Sequence, residues 1–138
     1  MSINFFGHKG KLYSVDMMIK YVTENNHPIH FIHINKIKHC LWKEVWGVMN
    51  ISKFTPMDVI NNPHVSLYDY QRIMVCDLLY PIIIFKDDDD KYMVVDGYHR
   101  LAKSHMEDIK YITIYIFTKE LLQKFRLNST SKYFKAKL

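Results

Sequence analysis

One stretch in the second half of the chain constrains the fold more than any other: Val94-Val95-Asp96-Gly97-Tyr98-His99-Arg100-Leu101-Ala102. An apolar strand ends, a glycine makes the turn, and a helix begins. A helix start leaves backbone N–H groups without intrahelical acceptors, and the helix dipole adds partial positive charge there. Gly97 lets a ligand approach the backbone closely. His99 and Arg100 fall in the first helical turn and can donate to the same anion. Together these are the parts of a phosphate site. Asp96, at its edge, could hold a metal, accept a proton from a hydroxyl, or cap the helix. Arg100 could equally be a structural arginine paired to Asp77 or Asp96.

The flanking pattern predicts an α/β domain. Ser14 caps a helix over 14–24, with Val15, Met18, Ile19 and Val22 at helical spacing. His27-Pro28 ends it. Residues 29–34 read as a first strand. Leu41, Trp42, Val45 and Trp46 form one apolar face if residues 37–46 turn helically, which would make both tryptophans core residues rather than base-stacking ones. Thr55-Pro56 starts a short helix that stops by Asn61-Asn62-Pro63. Ser66 caps a longer helix to about Leu79, with Leu67, Tyr70, Ile73, Met74 and Asp77-Leu78 at its i, i+3, i+4 positions. Residues 81–85 and 92–95 form a hairpin. A helix over 98–106, a strand over 112–117 and a last helix over 119–125, capped by Thr118, complete the core at about residues 29–126 of a single domain spanning 1–138. Residues 1–10 and 127–138 read as peripheral ends.

Composition adds limits. With 138 residues, 49% hydrophobic and 24% charged, the chain is ordinary for a globular domain. No apolar run approaches the ~20 residues of a membrane helix, and residues 1–11 lack a secretory signal. Cys40 and Cys76 form neither a metal spacing nor a disulfide framework. An intracellular, reducing setting, cytoplasm or nucleus, is therefore expected. The net charge of +5 permits a polyanionic partner without requiring one. Lysine and isoleucine are abundant while arginine is rare, a bias towards A/T-rich codons, so each of Arg72, Arg100 and Arg126 carries more weight than a lysine.

Other candidates have plainer readings. Asp87-Asp88-Asp89-Asp90 lacks the spaced ligands of a calcium loop and reads as a solvated turn. His27, His30, His33, His39 and Cys40 are zinc-ligand types, but their spacing fits neither a finger nor one face of a helix. His33, near the end of the first strand, is expected to face the same cleft as His99. Asp77 could orient Arg100, bind Mg²⁺ or make only a local bond. The basic tail of Lys124, Arg126, Lys132, Lys135 and Lys137 reads as solvated.

Asp96-Gly97-Tyr98-His99-Arg100, after an Ile-rich strand and a hairpin, resembles the signature of the ParB/sulfiredoxin superfamily, whose members share a Gly-x-x-Arg turn on a small α/β fold. Sulfiredoxins carry Gly-Cys-His-Arg there, ParB proteins Gly-Glu-Arg-Arg, and free-serine kinases of this fold Asp-Gly-His-His-Arg, the nearest form. Trp46, Thr55-Pro56, Arg72-Ile73, Asp77-Leu78 and Tyr80-Pro81-Ile82 extend the likeness to uncharacterised ParB-like proteins, over about residues 29–117. The resemblance implies a small mixed sheet flanked by helices, and a turn that cradles nucleotide phosphates through Gly97, Tyr98, His99, Arg100 and Lys103. ATP, ADP or CTP with Mg²⁺ is the implied cofactor. Tyr98 stands where sulfiredoxin has its cysteine, which excludes that thiolate chemistry. The DNA-binding domain that follows in ParB has no counterpart in the few residues after Arg126. Glu44 lies near the place of the kinases' catalytic glutamate.

The first reading is thus a nucleotide or phosphate-ester site, with a Mg²⁺-dependent phosphotransferase or NTP hydrolase as its enzymatic form. Arg100 and His99 would neutralise phosphate, Asp96 would be general base or metal ligand, and Glu44 and Asp77 are reserve carboxylates. A nucleic-acid-binding module or nuclease is the alternative, marked by a basic groove and steep salt dependence. A non-catalytic interaction protein is the third.

Overall fold

In the computed structural model, which describes residues 4–48 and 51–127, the elements run β1 (Phe5–His8), β2 (Lys11–Ser14), α1 (Val15–Glu24), β3 (Ile29–His33), β4 (Trp46–Val48), β5 (Ser52–Phe54), α2 (Pro56–Asn61), α3 (Leu67–Val75), β6 (Ile82–Lys86), β7 (Tyr92–Asp96), α4 (Tyr98–Met106), β8 (Tyr111–Phe117), α5 (Lys119–Leu122) and β9 (Arg126–Leu127). The central sheet has the order β3-β8-β6-β7. β6 runs parallel to β8, and the other two pairings are antiparallel. The architecture is mixed α/β, and among the described residues no helix is long and apolar enough to cross a membrane.

The continuous apolar run that becomes β6 is explained by burial on both faces. Ile82, Ile84 and Val94 join Ile73, Leu101, Ala102 and Ile114 in one core, beneath α2, α3 and α4. Ile83, Phe85 and Val95 join Val15, Met18, Phe117 and Leu122 in a second, beneath α1 and α5.

Local signals produce the expected helices. Ser14 Oγ accepts from the Met17 N–H, and Thr55 with Asp58 forms a reciprocal capping box. α5 continues as a 3₁₀ turn over Gln123–Phe125, matching the last predicted helix.

Several expectations are corrected. Residues 5–8 are not a loose end: β1 pairs with β2, β2 pairs with β9, and Phe6 packs on the second core. Leu127 is buried in that three-stranded sheet, while residues 128–138, with Lys132, Lys135 and Lys137, lie outside the described residues. α3 stops at Val75, short of Leu79. The Lys103 ammonium donates to the carbonyls of Met74 (3.1 Å) and Cys76 (2.8 Å), closing the helix end, and Leu67 and Met74 are exposed. Residues 37–46 are not one helical face. Lys38–Trp42 is a 3₁₀ turn, Trp42 is 56% exposed, and Trp46 belongs to β4. β4 pairs antiparallel with β5, and that pairing depends on Gly47, at φ 112°, where a Cβ would collide with the Ser52 carbonyl oxygen.

Candidate functional site

The turn after β7 is built as its residues dictate. Gly97 is the N-cap of α4 at φ 119° and ψ 25°, a left-handed conformation that suits glycine. The first intrahelical bond runs from the Leu101 N–H to the Gly97 carbonyl (2.9 Å). The N–H groups of Tyr98, His99 and Arg100 therefore precede the intrahelical ladder. The turn borders two clefts, of about 410 and 540 Å³, both lined by Arg72, Asp96, Gly97 and His99; Tyr98 lines the larger and Arg100 the smaller.

Arg100 is held from three sides. Its Nη2 donates to Asp96 Oδ2 (2.7 Å), and its Nη1 donates to the carbonyls of Pro81 (2.9 Å) and Tyr80 (3.3 Å). The guanidinium thus ties the end of β7 and the approach to β6 to the first turn of α4. Asp96 caps nothing; it is the counter-ion of Arg100. The arginine with fewer ties at the clefts is Arg72, whose one side-chain bond among the described residues is from Nη1 to the Tyr68 hydroxyl (3.2 Å), with its guanidinium over the Tyr68 ring. Lys43 lines the larger cleft.

His99 has a partner that sequence reasoning missed. Its Nε2 lies 2.9 Å from Oδ1 of Asp69, a carboxylate on α3 that is 7% exposed. The Ser66 hydroxyl donates to the other oxygen, Oδ2, at 2.8 Å. Trp46 stacks on the imidazole at 4.4 Å between centroids and 18° between planes. Ser66-x-x-Asp69 reads locally as a helix start, which hides this longer-range role. The usable signal was a carboxylate four residues before buried Ile73, on the same helix face.

The other expected residues separate. Tyr98 packs on the first core and donates to the Val94 carbonyl (3.3 Å); burial pushes its hydroxyl well above the usual range. Lys103 caps α3 and lines neither cleft. Asp77 lines the smaller cleft but binds the Leu79 N–H (2.9 Å) and does not orient Arg100. Glu44 is exposed and lines neither cleft. His33 does not face His99; its Nδ1 accepts from the Asn35 N–H, and its ring meets Tyr111. His27 bonds the Ile116 carbonyl and His39 meets Cys40 Sγ. Asp87 accepts from the N–H groups of Asp89 and Lys91 within its own turn. Among the described residues no three His, Cys, Asp or Glu side chains gather as metal ligands.

Burial holds the His99 pKa below 6.5, with Asp69 opposing the shift, and burial likewise lowers His8 and His105. In the window below 6.5 the unfolded chain binds more protons at these positions than the folded one. Stability contributed by the neutral rings is therefore complete above the unfolded value and lost as pH falls towards the folded values. Urea midpoints are expected to fall between about pH 7.5 and 5.5, a span in which histidine is the side chain with a reference pKa to titrate. A midpoint that holds or rises on acidification would contradict this.

No protein-family model, curated protein or solved structure matches this chain.

Proposed function

We propose that this protein is a nucleotide- or phosphate-ester-binding domain of ParB/sulfiredoxin type, with its site at the start of α4. The observation that carries the reading is the Gly97 turn. It leaves the N–H groups of Tyr98, His99 and Arg100 outside the intrahelical ladder, at a turn bordered by two clefts that Arg72 also lines. Backbone donors, the helix dipole and one arginine are the usual means of holding phosphate oxygens. The roles differ from those the resemblance implied. Arg72 supplies charge to the ligand, while Arg100 shapes the turn and offsets Asp96. His99, kept neutral near pH 7, contributes a hydrogen-bonding ring rather than a cation. Magnesium fits as an ion carried in by the phosphates, which with water supply most of its oxygen ligands.

Titration with ATP, ADP, CTP and inorganic pyrophosphate, with and without Mg²⁺, tests the reading by calorimetry and by amide NMR. Saturable binding should shift the Tyr98, His99 and Arg100 amide signals most. A binder that moves other amides, or no binding by any probe, removes the phosphate reading. Binding by an oligonucleotide alone, weakening steeply with salt, would favour the nucleic-acid alternative.

A further inference from the structure

We propose that Asp69 and His99 form an acid–base pair that activates water for hydrolysis of a phosphate ester or anhydride bound at the α4 turn. This rests on the phosphate reading above and adds a reaction to it. An ionised carboxylate only accepts hydrogen bonds, so the 2.9 Å contact assigns the ring proton to Nε2 and leaves the lone pair on Nδ1. Nδ1 has no hydrogen-bond partner among the described residues. None of their buried side-chain nitrogens or oxygens is unpartnered, so Nδ1 reaches solvent. The ring borders both clefts, immediately beside the helix start. Its orientation is set twice, by Asp69 on its edge and by the Trp46 indole on its face.

Such a pair is more than packing requires. Asp69 is itself anchored by Ser66, and the pair crosses from α3 to α4, so each ring position depends on two elements. A nitrogen base held in one tautomer by a buried carboxylate is the arrangement that catalytic pairs use. The charged groups around the ring are Asp69 and Arg72 from α3 and Asp96 from β7, with Lys43 across the larger cleft. Arg72 opposes protonation and the two carboxylates favour it.

The step balances with water as the only co-reactant. Nδ1 takes a proton from water as its oxygen bonds to phosphorus. The bond from phosphorus to the leaving oxygen breaks, and the imidazolium returns its proton to that oxygen. His99 is the catalytic residue; Asp69 is a positioning residue, acting through the ring.

The test follows phosphate release from Mg²⁺-ATP by the full chain from pH 5 to 9, alongside calorimetric binding. Native protein should release phosphate with an acid limb in kcat/KM. Asp69→Asn should lower kcat about a thousandfold while KM changes little, and Asp69→Glu should recover part of the loss. ATP binding with no phosphate release above background, or release that Asp69→Asn leaves unchanged, overturns the pair and leaves the phosphate site standing. No binding by ATP or pyrophosphate removes both. Should Asp69→Asn fail to fold, long-range ¹H–¹⁵N spectra of the native protein decide instead: a neutral His99 carrying its proton on Nδ1 overturns the assignment.

Discussion

Gly97→Val is expected to destabilise the fold by about 3 kcal/mol or more, since a strained backbone costs about 1–3 kcal/mol and overpacking adds a similar amount. The two costs come from different observations. The backbone at φ 119° lies where L side chains rarely go. A Cβ would also sit 3.1 Å from Arg100 Nη2, and 3.1 and 3.2 Å from the two γ carbons of Ile82. Ile82 is buried in the first core and has little room to yield. Arg100 could swing away only by releasing Asp96 and the Tyr80 and Pro81 carbonyls. A loss of this size is a large share of the roughly 5–15 kcal/mol that holds a domain together. Urea denaturation of Gly97→Val beside Gly97→Ala gives the measurement. The alanine variant carries the strain without the branched methyl groups, so it should fall between valine and native protein. Equal stability of all three would mean that the turn relaxes freely.

The elements that sequence reasoning located are those with local signatures. Ser14, Thr55, Ser66 and Thr118 each bond the N–H three residues on, so four helix starts were legible from short windows. The hairpin β6–β7 and the glycine turn after it were legible for the same reason, because an apolar run, a polar turn and a glycine are adjacent in the chain. What escaped depends on contacts between distant residues. Nothing near Leu12 announces Leu127 as its cross-strand partner. Trp46 stacks on His99 from β4, which is held by its antiparallel pairing with β5, and the helical spacing of Leu41, Trp42, Val45 and Trp46 pointed elsewhere. At the site, the first-turn placement of His99 and Arg100 was legible and their duties were not. Those are set by Asp69, thirty positions away from His99, and by two backbone carbonyls on the approach to β6.

The two arginines near the turn are expected to separate stability from binding. Arg100 makes three hydrogen bonds to protein acceptors, and its removal would leave Asp96 and the Pro81 carbonyl without their donor. Charged hydrogen bonds of this kind are worth roughly 1.5–3 kcal/mol, so Arg100→Ala should lower Tm by on the order of 10 °C for a chain of this size. Arg72 is exposed and, among the described residues, is tied to Tyr68 alone, by one bond and a ring contact. Arg72→Ala should therefore leave stability within about 0.5 kcal/mol. Its effect falls on the ligand, where loss of a charge-assisted contact should weaken nucleotide or pyrophosphate binding about 10- to 100-fold. Thermal melts and calorimetric titrations of the two variants, taken together, measure the contrast. If Arg100→Ala melts with the native protein and alone abolishes binding, the ligand-facing cation is Arg100 and the Asp96 pairing opens on binding. If Arg72→Ala loses affinity while Arg100→Ala loses stability, the turn is a scaffold whose charge comes from α3, and the helix start supplies the rest through its backbone.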